Sequence, residues 1–155
     1  MNSYLIVKTL HILSATLLVG TGFGSAFYLF FANRSGHLTA QAVVARLVIR
    51  ADNWFTWPAV LFQLGSGLWM ANAAGWPLGS RWLSLALGLY AFAGLCWLPV
   101  LVLQLRMAKL AEAAVAAKQP LDARYWTLAR RWERLGYPAF CAMLAVYFLM
   151  VLKPA

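Results

Sequence analysis

The sequence predicts an all-α integral membrane protein, a four-helix bundle in a single domain over residues 1–155, with amphipathic helical segments on its cytoplasmic side. Three observations predict it. Four runs, 4–31, 55–74, 82–105 and 135–152, are apolar over about the 17 to 25 residues that cross the hydrocarbon core of a bilayer. With 63% hydrophobic and 11% charged residues and a mean hydropathy of +0.71, the chain has too little polar content to cover a soluble domain of its size. Its basic residues gather between the apolar runs.

The first run, YLIVKTLHILSATLLVGTGFGSAFYLFF, carries Lys8 and His11 one helical turn apart. It is too long for a signal peptide and lacks a small-residue cleavage site with a polar continuation, so it is expected to stay in the mature chain. Tyr4, Lys8, His11, Ala15, Gly22 and Ser25 recur near the helical period and define a polar or small face that should turn inward. Gly20 with Gly24, Thr21 with Ser25, and Gly65, Ser66 and Gly67 in the second run are material for close helix packing. Between these runs, Thr39 can cap a short helix through AQAVVARLVIRA, its valines and Leu47 on the membrane surface and Arg46 and Arg50 at headgroups.

On the second helix Asp52, Thr56 and Gln63 fall on one face, and with Gln104 they could pair with Arg34 or Arg50 in a polar network between helices. The short loop AGWPLGSR leads to the third run, whose helical pattern continues through RMAKLAEAAVAAK until Gln119 and Pro120 stop it. A second amphipathic piece, DARYWTLARRWERLG, places Trp126 and Trp132 among four arginines and reads as an interfacial anchor or a partner-docking surface. Pro58 and Pro99 interrupt their helices, whereas Pro138 suits the first turn of the last one.

Ten basic residues lie in the segments 33–53 and 106–134, against Arg81 and Lys153 on the other side. The positive-inside rule puts both longer loops in the cytoplasm and both termini outside. The net charge of +9 then serves topology and contact with anionic lipid, not nucleic acid. Cys96 and Cys141 lie in apolar segments without ligand-like spacing and read as small core residues.

His11 lies roughly 10 Å inside the outer boundary at 1.5 Å per residue. Trp69, Met70, Tyr90 and Tyr147 come to comparable depth, which collects a candidate pocket. A neutral imidazole there could be the metal ligand of a haem b, with Lys8 on a propionate. The competing expectation is a buried histidine hydrogen-bonded to a neighbouring helix, with Lys8 snorkelling to headgroups. His37 is 26 residues further on, about 39 Å along a helix, so a bis-histidine site would need a homodimer in which two first helices meet near Gly20 and Gly24 and each contributes His11. Hydrolase and nucleotide-binding motifs are absent.

The stretches YLIVKTLHILSATLLVGTGFGSAFYLFFANRS, DNWFTWPAVLFQLGSGLW, LYAFAGLCWLPVLVLQ and LGYPAF with LMVLKP resemble a bacterial family of predicted integral membrane proteins of unknown function, over nearly the whole chain. More distantly, Lys8 with His11, Pro138, and Lys153 with Pro154 are similar to positions in the HemJ-type, haem-binding protoporphyrinogen oxidases. Gly136 and Tyr137 stand where that family has an Asn-Glu pair. That resemblance implies a haem or redox role with His11 as iron ligand, Lys8 as propionate or histidine partner, and Met70 or Tyr147 as secondary contacts. The alternative expectation is a non-enzymatic scaffold or assembly partner docking through Arg124 to Arg134.

Overall fold

The computed structural model describes residues 3–154, and its regular structure is helical throughout. Helix α1 covers Ser3–Arg34, α2 Leu38–Ala51, α3 Trp57–Ala73, α4 Arg81–Ala117 and α5 Ala123–Leu152, with a π-helical turn over Asp52–Thr56 joining α2 to α3 without a break. Three of these, α1, α4 and α5, are long and apolar enough to cross a membrane; α3 has 17 residues. At 1.5 Å per residue, the 37 residues of α4 reach about 55 Å, well beyond a hydrocarbon core of roughly 30 Å.

The excess length accumulates at one end, here called the basic end, where α4 and α5 run on together and α2 packs against α4. Leu29, Ala42, Ala45, Val48, Met107, Ala108, Ala111, Tyr125, Ala129 and Trp132 share one core there. Alanines at the contacting positions of α2, α4 and α5 let the backbones approach, while Tyr125 and Met107 fill the centre. Elsewhere, large apolar side chains face outward: Leu95, Phe148 and Val151 are all more than 60% exposed. Such a surface matches lipid and would be a liability in water.

The helix limits correct several expectations. Residue 122 onward is not a separate interfacial helix: Asp122 accepts a hydrogen bond from the Arg124 N–H and caps a helix that continues to Leu152. Tyr125 and Trp132 of that segment are buried against protein. Pro138 is therefore interior to α5, as Pro99 is to α4. Helix α4 ends at Ala117 because Lys118 adopts a left-handed conformation that returns its N–H to Val115 O and that of Gln119 to Ala114 O. The N-cap position of α2 is His37, not Thr39, with no side-chain cap bond. Val48 is buried, and Val43 and Leu47 remain exposed. Cys141 is also exposed, so it is not a core residue.

Two helix pairs emerge, α1 with α3 and α4 with α5, tied together at the basic end by α2. Along the rest of their length α1 and α5 meet sparingly. The Phe23 and Phe140 rings stack at 5.3 Å across that seam, and Arg34 pairs with Glu133 at 3.1 Å below it.

Candidate functional site

Behind the seam lies a cavity of about 420 Å³, bordered by all four long elements α1, α3, α4 and α5. Its walls are apolar and aromatic, with Phe23, Phe27 and Phe30 from α1, Tyr90 and Trp97 from α4 and Phe140 from α5. Polarity is concentrated toward the basic end, where Asp52, Thr56, Gln104, Trp132 and Glu133 complete the lining. A volume of this size accommodates a drug-sized molecule.

The π-helical turn creates the polar end. Trp57 N–H bonds to Asp52 O, five residues back, and the wide turn directly precedes Pro58, which has no N–H of its own to continue the ordinary ladder. Thr56 Oγ1 donates to Asp52 Oδ1 at 2.8 Å. With the Gln104 amide nitrogen facing the carboxylate, it donates to Asp52 Oδ2 at 2.8 Å, and the Gln104 oxygen accepts from Trp132 Nε1 at 3.3 Å. Asp52 is 3% exposed. Burial pushes its carboxyl above the ordinary carboxylate range, while the bonds from Thr56 and Gln104 act in the opposite sense. Neither Arg34 nor Arg50 pairs with it: Arg34 is taken by Glu133 and lies 3.4 Å over the Phe30 ring, and Arg50 is exposed.

The second polar cluster joins α1 to α3. His11 Nδ1 lies 2.7 Å from Ser66 Oγ, whose own hydroxyl donates to Phe62 O at 2.6 Å. His11 Nε2 lies 2.8 Å from Gln63 Nε2. Ser66 thus accepts from Nδ1–H and Gln63 donates to Nε2, which fixes the neutral Nδ1–H tautomer. Gly67 makes room for the ring, since a Cβ there would come within 3.3 Å of His11 Cε1. Gln63 therefore belongs to His11 and not to the Asp52 face. Both ring nitrogens are engaged, so His11 could ligate a haem iron only after Gln63 or Ser66 turned away.

Of the residues expected around His11, Tyr90 lines the cavity described above, and His11, Met70 and Tyr147 are not in its lining. Met70 is buried on α3, one turn beyond Ser66, and Tyr90 belongs to the cavity, donating to Val60 O at 2.8 Å. Tyr147 is 37% exposed and outside the cavity lining. Lys8 is exposed, without an ion pair among the described residues. Lys153 lies over the Trp76 ring at 4.0 Å. Among the described residues no three His, Cys, Asp or Glu side chains are grouped as metal ligands. A Cβ on Gly20 or Gly24 would touch nothing within 4 Å, so neither marks a helix crossing inside the chain. Ser66, Trp132 and the Asn33–Tyr125 pair are among the polar contacts that sequence reasoning missed. For Ser66 a signal existed, because Gln63, Ser66 and Gly67 share the three-to-four residue spacing of one helix face.

A family model described as predicted integral membrane protein (DUF2269) matches residues 5–154. No curated protein matches the chain, and no solved structure does.

Proposed function

We propose that this chain, which belongs to the family of predicted integral membrane proteins matching residues 5–154, takes a largely apolar, membrane-soluble ligand into the cleft between its two helix pairs. The cavity of about 420 Å³ carries this reading: its walls are apolar, its polar groups lie at one end, and the α1–α5 seam facing the lipid is thinly joined. In this reading α3 is the fourth span. Both termini lie outside the inner membrane, and the basic end, with Arg46, Arg50, Arg106 and Lys109, faces the cytoplasm. A reporter fused after Pro154 is then active outside. Cytoplasmic activity there, with external labelling of a cysteine placed at Lys118, would reverse the orientation.

Ligand entry is tested by quenching of Trp97 fluorescence in nanodiscs with a brominated aromatic hydrocarbon, read as the difference between the full chain and Trp97→Phe. Gly94 lines the cavity, and a Cβ there meets nothing within 4 Å, so Gly94→Leu adds side-chain volume at that wall. Saturable quenching that disappears in Gly94→Leu supports the proposal. Quenching that stays linear and identical in both proteins refutes it.

A haem or redox role rests on His11, whose two ring nitrogens are hydrogen-bonded, and so has less support from the geometry. The scaffold reading draws on a different feature, an open groove between α4 and α5 lined by Arg106, Lys109, Arg124 and Arg131. An acidic partner segment would suit it. Loss of a co-purifying protein when all four are changed to Ser is the corresponding test.

A further inference from the structure

We infer that the ligand of this cavity carries a single positive charge on an otherwise apolar body, and that Asp52 is its counter-ion. This deepens the cavity reading and rests on it. The chain has four acidic residues, and three have evident employment: Glu112 pairs with Arg46 at 2.9 Å, Glu133 with Arg34 at 3.1 Å, and Asp122 caps α5. Asp52 is the most deeply placed, and its resolved partners are the neutral donors Thr56 and Gln104.

Those donors do more than satisfy the carboxylate. They hold one oxygen from the π-helical turn and the other from α4, so the group is fixed in orientation at the end of the cavity. A buried carboxylate without a cation is costly in a low dielectric, and it either takes up a proton or meets a positive charge. The nearest basic side chain on α1, Arg34, is committed to Glu133. Tyr90 and Trp97 line the cavity, and aromatic rings of this kind attract a cation. Glu133, the other carboxylate in the lining, is neutralised by Arg34 at 3.1 Å, so Asp52 sets the sign of the polar end, which disfavours an anion of the same shape. Quaternary ammonium or phosphonium amphiphiles have this combination of one delocalised charge and apolar arms.

The test uses the full chain in nanodiscs and three probes of similar bulk: tetraphenylphosphonium, neutral tetraphenylsilane and tetraphenylborate. The expected result is saturable binding of the cation over the neutral probe, and no saturable binding of the anion. Asp52→Asn should weaken the cation by about tenfold or more, the scale of one lost charge–charge attraction at reduced dielectric, and leave the neutral probe unchanged; Asp52→Glu should restore the preference. Unchanged cation binding in Asp52→Asn overturns the inference while leaving the cavity reading intact, and so does equal binding of cation and anion. Failure of every probe to saturate removes both. Should Asp52→Asn fail to fold, modification of the unsubstituted protein by a membrane-permeant carbodiimide gives an independent readout. Protection of Asp52 by the phosphonium and not by the borate supports the inference, and equal labelling with either refutes it.

Discussion

Tyr125→Phe tests whether the basic end is a packed core or a set of helices lying on a membrane surface. Tyr125 is 0% exposed, and its hydroxyl donates to Asn33 Oδ1 at 2.5 Å, linking α5 to the end of α1. The Asn33 main-chain oxygen accepts from Gln41 Nε2 at 3.1 Å, while its Nδ2 has no partner among the described residues. Removing the hydroxyl leaves the buried Asn33 amide unsatisfied at its oxygen as well, a cost of about 2 kcal/mol, or a fall in Tm of about 4–8 °C for a chain of this size. In the proposed orientation the charged stretch around Arg124 and Arg131 lies outside the hydrocarbon, and burial pushes the Tyr125 hydroxyl from 10.0 up to about 12. Because the folded value is the higher, this contribution to stability is fully present below pH 10 and is lost as pH rises from 10 towards 12, amounting to about 3 kcal/mol over that window. Tryptophan-detected melting in detergent should therefore show a gap between the two proteins at neutral pH that closes in alkali. The absorbance difference at about 295 nm should place the Tyr125 tyrosinate near pH 12. Equal melting temperatures, with Tyr125 ionising near 10, would refute the packed core and restore the surface-lying helix that the arginine-rich pattern suggests.

Gly67→Val should lower stability by about 1–3 kcal/mol by forcing His11 off α3, whereas Gly24→Leu, which points into open space, should leave the monomer's melting temperature unchanged; if two copies meet through Gly20 and Gly24, it also halves the mass measured in detergent. Equal melting of Gly67→Val and the unsubstituted protein would place His11 elsewhere. Gln63→Ala frees His11 Nε2, so haem supplementation should give more Soret absorbance in this variant than in the unsubstituted chain if His11 can bind iron at all. Identical spectra would dismiss His11 Nε2 as a ligand.

The helical class and the apolar runs were legible because each is a property of a continuous stretch: 4–31 falls within α1, and 82–105 within α4. What could not be read was continuity across a change of environment. Residues 122–134 look like a charged surface helix and 135–152 like a buried one, yet both are α5, since a helix leaving the bilayer changes its side chains and not its backbone. Pro138 invited a boundary there, but a proline inside a membrane helix is tolerated where neighbouring groups satisfy the freed carbonyl. The polar site was half legible. Asp52 and Thr56 are four apart and do bond, but one extra residue in the π-helical turn rotates everything beyond it by about 100° relative to an unbroken α-helix. Gln63 is thereby carried away from Asp52 and round to His11. No periodicity argument that assumes one uniform helix reaches that result.

The location of the cavity follows from where the chain can gain from packing. In the membrane placement proposed above the basic end lies outside the lipid, where burial of apolar side chains is driven by water, and there Met107, Ala111 and Tyr125 are fully enclosed. Within lipid that drive is missing, and helices associate through small residues, hydrogen bonds and close fit. The α1–α3 pair has such contacts in His11 with Ser66 and Gln63, and in Ser14 Oγ donating to Ala59 O at 3.3 Å. Across the membrane half of the α1–α5 seam, the resolved aromatic contact is the stacked pair of Phe23 and Phe140, whose rings find an equivalent environment against acyl chains. Separating those rings exposes apolar surface to an apolar solvent and costs little, while the core at the basic end holds the two pairs in register. On the proposed reading, the same division of forces that leaves a cavity behind the seam would let its mouth open sideways to lipid without unfolding the protein.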